Sequence, residues 1–224
     1  ADPGRLRIGL LDHDPRGNEI DPACADAARS AARMLEALGH GVEPAWPEVL
    51  ADTTMTARFM ALWATNMATG IASMGAQIGR DLTEDEVEPV NWAQAQYAGM
   101  FTAVQLADAQ AATVEFRRAV QQWWSDGWDL LLTPTCGEPP VPIGEHDPTP
   151  DDPMAGMRRA ARFVPFTPAF NMSGQPAISL PLHWHDGLPV GVQLVAAYGR
   201  EDLLLRVASQ LEAANPWADR RPPV

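Results

Sequence analysis

The sequence predicts an α/β fold, and three observations carry that prediction. The chain opens on a strand–helix–strand pattern, returns after a helical middle to a short apolar run, and closes on a strand pair followed by an amphipathic helix. The opening pattern favours a parallel sheet, because a strand that feeds a helix packs back onto the same sheet beside a parallel successor. With 224 residues, 46% of them hydrophobic and 20% charged, the chain can bury a core. Its length fits one large domain, or part of one, and no repeat of fixed period suggests a solenoid or propeller.

Leu6 to Leu11 is an apolar run bounded by Pro3-Gly4 and by Asp12-His13-Asp14-Pro15, the pattern of a buried strand. Asp21 is a good N-cap with Pro22 in the first helical position. Cys24, Ala28, Ala31, Leu35 and Leu38 then recur at three and four residues until Gly39 stops the helix. Arg29, Arg33 and Glu36 fall on the opposite, wet face. Val42 to Trp46 supplies the second strand.

Between Thr53 and Ile78, Met55, Phe59, Leu62, Trp63, Met67, Ile71, Met74 and Ile78 keep a helical period in spite of Gly70 and Gly75. Thr83-Glu84-Asp85-Glu86 has capping-box spacing, within an acidic run from Asp81 to Glu88 that reads as a solvated face. One further helix is predicted from about Asn91 to Trp124, broken by Ser125-Asp126-Gly127. Trp128 to Thr133 is a buried strand halted by Pro134, and the proline- and acid-rich stretch from Gly137 to Pro153 is loop. Ala177 to Leu182 and Val190 to Val195 form a strand pair around His185-Asp186-Gly187, and Glu201 to Ala214 is the closing helix, with Leu204, Val207, Ala208 and Leu211 on one side.

Composition narrows the chemistry. Sixteen basic residues against 29 acidic ones give a net charge of −13, which argues against nucleic-acid or anionic-membrane partners. All sixteen are arginine; with no lysine in the chain, lysine-based chemistry is excluded from these residues. Cys24 and Cys136 are too few for a disulfide framework and point to a reducing cytoplasm. No Gly-x-Ser-x-Gly elbow surrounds any of the six serines, so no nucleophile is marked. His183 and His185 share a strand face, yet no third ligand is in register, and they read as polar residues flanking a turn. His13, between Asp12 and Asp14, reads as a solvated strand end. The eight tryptophans read mostly as core, with a substrate funnel as the alternative. Cys136 follows an apolar strand in Thr133-Pro134-Thr135-Cys136-Gly137, and ligands gather beyond the carboxyl ends of strands in α/β sheets, so it is read as a pocket wall rather than a nucleophile.

Three stretches together resemble the amidase signature family of carbon–nitrogen hydrolases. They are Leu6-Arg7-Ile8-Gly9-Leu10, Trp128 to Thr135, and the tract from Phe166 to Leu211. The tract carries Asn171-Met172-Ser173-Gly174-Gln175-Pro176-Ala177-Ile178-Ser179-Leu180-Pro181 and then Gly187-Leu188-Pro189-Val190-Gly191-Val192-Gln193, in the family's order and spacing. The resemblance implies the C-terminal part of the amidase signature fold, a mixed sheet flanked by helices on both faces. It places residues 1–224 in one such domain, with 53–127 as a variable helical region around the substrate entrance.

The resemblance also implies that the family's lysine, cis-serine and nucleophilic serine lie upstream, in a Gly/Ser-rich segment that this chain does not contain. No catalytic residue is therefore assigned. Thr135, Cys136, Phe170 and Asn171 are the expected substrate-binding residues, and the implied chemistry needs neither cofactor nor metal. The expected partners are the N-terminal half of the same amidase, from the same gene or a separate chain, and a small-molecule amide; self-association into a homo-oligomer is compatible with this. Alone, the chain is expected to be inactive. The competing reading is a non-catalytic half-domain that binds a ligand or partner. Val164 stands where the family's transfer-RNA amidotransferases carry an acid, and no arginine lies between Asp81 and Phe116, which disfavours that branch. The tryptophan- and methionine-rich middle suggests an apolar or elongated amide.

Overall fold

The computed structural model describes residues 2–149 and 151–223. Its elements follow in the order β1 (Arg7–Leu10), α1 (Pro22–Ala37), β2 (Gly41–Pro44), α2 (Met55–Ile78), α3 (Pro89–Ala98), α4 (Ala103–Ser125), β3 (Leu130–Pro134), α5 (Ala155–Phe163), α6 (Thr167–Ser173), β4 (Ala177–His185), β5 (Leu188–Ala196) and α7 (Glu201–Ala214). They divide into two compact units. One comprises Ala1–Asp52, Phe116–Val141 and Arg162–Val224, the other Thr53–Glu115 and Pro142–Ala161.

The first unit holds a five-stranded sheet in the order β2-β1-β3-β5-β4. β1 is parallel to both β2 and β3, as the opening pattern predicts, and β5 runs antiparallel to β3 and β4, making the sheet mixed. Side chains alternate across it with period two. Ile8, Leu130, Leu132, Val192 and Leu194 form one core with Cys24, Ala27, Ala31 and Leu35 of α1 and Leu203, Leu204, Val207 and Leu211 of α7. The small residues of α1 bring its backbone close to the strands, while each of α7's four large side chains contributes roughly 1.5–3 kcal/mol by leaving water. On the other face, a Cβ on Gly9 would lie 2.5 Å from the Ala45 carbonyl and 2.6 Å from the Trp123 ring of α4. Helices therefore cover both faces. Trp123 also stacks on Trp128 with ring centres 4.8 Å apart, and the Arg7 guanidinium lies 3.8 Å above Trp128.

Several boundaries match the sequence reading. Asp21 caps α1 by accepting a hydrogen bond from the Ala23 amide (2.8 Å), and α7 spans the expected residues. Asp186 (φ 48°) and Gly187 (φ 78°) turn the β4–β5 hairpin with the left-handed backbone that two-residue hairpin loops require. Four expectations need correction. The helix predicted from Asn91 to Trp124 is two helices, because Gly99 ends α3 and Thr102 starts α4 by accepting from the Gln105 amide (3.2 Å). α5 and α6 were not expected at all.

β3 runs through Pro134 instead of stopping before it. Leu132 turns its carbonyl to β1, accepting from the Leu11 amide (2.9 Å), so Pro134 two residues on faces the same way, past β1's end. No ladder bond is lost there. Fourth, Asp14 is not solvated but 2% exposed.

In the second unit α2 and α3 pack together around Met55, Ala61, Ala64, Ile71 and Gln94. Gln94 donates to the Met157 sulfur (3.2 Å), and Arg159 pairs with Glu145 (2.9 Å). The Thr83 capping box forms around a single turn of 3-10 helix, Glu84–Glu86, whose Glu86 pairs with Arg80. Among the described residues no helix is long and apolar enough to cross a membrane.

Candidate functional site

Thr135 and Cys136 sit immediately beyond the carboxyl end of β3, where the sequence places a pocket wall. The Thr135 amide donates to the Gly191 carbonyl (3.0 Å), extending the β3–β5 pairing by one residue. Its hydroxyl is 2.7 Å from the hydroxyl of Ser179 on β4. Gly191 lies between them: a Cβ there would fall 2.8 Å from Ser179 Oγ and 2.9 Å from Thr135 Oγ1. One residue pair further in, buried Gln193 donates to Thr133 Oγ1 (3.1 Å), and Thr133 donates to the Pro134 carbonyl (2.7 Å). Thr133, Thr135, Ser179 and Gln193 thus form a polar stripe across β3, β5 and β4 on one face of the sheet.

This stripe was missed in the sequence, although a signal exists. Gln193 interrupts the apolar run Val190–Ala196 at a strand position that must be buried, and a buried amide demands a partner.

The next residue, Gly137, is clamped from two sides. Its amide donates to the Phe163 carbonyl (2.9 Å), and its own carbonyl accepts from the Asp21 amide (2.7 Å) at the start of α1. No room remains for a side chain, since a Cβ would lie 2.9 Å from both the Arg162 carbonyl and Pro165 Cγ. The Thr135–Gly137 segment is thereby registered against the connector from which α6 springs. α6 carries the other two expected residues, and they face different surroundings: Phe170 is 5% exposed and Asn171 is on the surface. Arg117 Nε donates to the Met172 carbonyl (2.9 Å) and Tyr198 donates to the Ser173 carbonyl, fixing the helix end. Ser173 Oγ and Gln175 Oε1 are buried without a hydrogen-bond partner among the described residues.

The electrostatics activate neither cysteine as a nucleophile. Burial pushes the Cys136 thiol up from its ordinary value, which keeps it protonated and poorly reactive near neutrality. Cys24, fully buried under the sheet, is pushed up to about 12 by burial first and then by the negative charge of Asp21, with Cys136 and Glu138 adding to it. Both cysteines are free. His183 and His185 lie on β4, and His185 Nε2 is 3.5 Å from Asp186. Among the described residues no group of three or more His, Cys, Asp or Glu side chains could hold a metal ion.

Comparison with known proteins places this architecture. The chain is 45% identical to 6-aminohexanoate-cyclic-dimer hydrolase of Pseudomonas sp. (strain NK87) over 98% of its own length and 46% of the relative's. It is 34% identical to the putative amidase AmiC of Mycobacterium tuberculosis (strain ATCC 25618 / H37Rv) over 96% of its length and 44% of the relative's. The chain therefore spans about half the length of the curated relatives it matches. The solved structure of 6-aminohexanoate cyclic dimer hydrolase superposes with a TM-score of 0.92 at 44% identity, covering 99% of this chain and 47% of that one. A bacterial aryl acylamidase of the amidase signature enzymes shares the fold with a TM-score of 0.73 at 19% identity, over 96% of this chain and 45% of that one. The family model described as Amidase matches residues 1–205, and this chain belongs to the amidase family.

Proposed function

We propose that these residues form the C-terminal portion of an amide hydrolase whose serine, cis-serine and lysine lie outside them. The observation that carries this reading is the 45% identity to 6-aminohexanoate-cyclic-dimer hydrolase across 98% of a chain that contains no lysine. In the complete enzyme a serine attacks the amide carbonyl, the amine departs with a proton, and water cleaves the acyl-enzyme to return the serine. The role of this portion is binding. Thr135 and Cys136 at the end of β3, with Phe170 and Asn171 of α6, form one wall of the substrate pocket, and the Thr135–Ser179 hydroxyl pair offers polar contacts there. The proposed substrate is an amide flanked by methylene chains, as in the cyclic dimer named for the relative, which accords with the apolar middle of the chain.

The experiment compares hydrolysis of 6-aminohexanoate cyclic dimer by the purified 224-residue chain with hydrolysis after co-production with the N-terminal half of the Pseudomonas relative. The expected result is no turnover by the chain alone and measurable amine release by the pair. Robust cleavage by the chain alone, or lasting inactivity of a well-folded pair toward this and other amides, would overturn the reading.

A further inference from the structure

A heavily bonded carboxylate of the first unit is far in sequence from the candidate pocket. Asp14 accepts from the Arg16 amide (3.0 Å), Arg16 Nε (3.0 Å), Arg16 Nη2 (3.2 Å) and Asn18 Nδ2 (2.7 Å). Its side chain is wholly inaccessible, whereas an exposed loop would leave it in water. Burying a charge is costly unless donors surround it, so the knot is rigid by necessity.

Its outward arm is Arg16. The same Nη2 donates to the Pro165 carbonyl (2.9 Å), 149 residues away. Pro165 is also the residue against which Gly137 packs, and Phe163 accepts the Gly137 amide. One guanidinium thus joins the β1–α1 loop to the connector that registers both Cys136 and the start of α6.

We infer that Asp14 and Arg16 are positioning residues for the pocket wall: Asp14 orients the Arg16 guanidinium, and Arg16 holds Pro165, which sets the Thr135–Gly137 segment. The inference rests on the reading of that segment as part of an amide-binding pocket. Neither residue touches the reacting atoms. A planar guanidinium can serve the carboxylate and the carbonyl at once, because its donors point in fixed, divergent directions; an ammonium on a flexible stem does so poorly.

The test follows the two thiols in the complete protein that carries this chain, by labelling with N-ethylmaleimide and mass mapping of the Cys136 and Cys24 peptides. Cys24 is fully buried and reports global unfolding; Cys136 reports local opening. In Arg16→Ala, labelling of Cys136 should accelerate about tenfold, equivalent to ~1.4 kcal/mol, with the rate at Cys24 unchanged. Arg16→Lys should fall between wild type and Arg16→Ala. Arg29→Ala, which breaks the exposed pair with Asp12, should leave both rates within about twofold of wild type. An unchanged Cys136 rate, or one that rises only in step with Cys24 or equally in Arg29→Ala, would overturn the inference. If Arg16→Ala fails to fold, Arg16→Lys decides by the same criteria. In turnover assays of the complete enzyme, Arg16→Ala should raise KM several-fold with kcat within about twofold. Inactivity of the wild-type complete protein toward amides would sink the amidase reading while the labelling result still judges the strut.

Discussion

Asp14 shows how a single residue ties stability to pH. Burial alone would raise its carboxyl, but the donors of Arg16 and Asn18 outweigh burial, and the balance holds it below its ordinary value. A carboxylate lowered on folding stabilises the protein above the unfolded value and loses that contribution as pH falls through the folded one. The difference in urea midpoint between wild type and Asp14→Asn should accordingly stay constant above about pH 5 and shrink toward pH 3. A gap that persists undiminished at pH 3 would contradict this account. Gly9 makes a different demand, for space. Its neighbours are the Ala45 carbonyl and the Trp123 ring, neither the free end of a flexible chain, so Gly9→Ala should destabilise by about 1–3 kcal/mol in urea unfolding. Neither demand can be read from the residue type alone. Asp14-Pro15-Arg16-Gly17 has the residues of a β-turn, and the turn forms; that Asp14 is buried within it could not be read, because Arg16 is held over it by Pro165, 149 residues away.

The elements that were legible are those whose signals are local. Asp21-Pro22 marks the start of α1, Asp186-Gly187 the hairpin, and Glu201 the start of α7, and each element begins where those residues place it. The cap has a measurable worth. Asp21→Ala removes the acceptor of the Ala23 amide and should cost about 1 kcal/mol in thermal or urea unfolding, while a loss near zero would mean that tertiary packing alone sets the helix start. Illegible elements depended on partners distant in sequence. β3 continues through Pro134 because β1 has already ended beside it, and that is a property of sheet order. α6 is seven residues long, too short for a periodic signal, and its C-terminal end is fixed by Gly174 in the left-handed conformation and by Arg117.

At the scale of the whole molecule, the motif tract from Phe166 to Leu211 disclosed the family, and the family comparison agrees with it. The candidate site was legible only in part. The resemblance names Thr135, Cys136, Phe170 and Asn171, but the hydroxyl partner Ser179 and the contact from Arg16 to Pro165 depend on the pairing of β3, β4 and β5 and on the meeting of residues 149 positions apart. The path of the polypeptide has its own consequence. The sheet-bearing unit is interrupted twice, after Asp52 and after Val141, and the chain returns to it at Phe116 and Arg162. All five strands belong to the segments outside these two excursions, so an insertion within either excursion adds chain without changing which strand neighbours which.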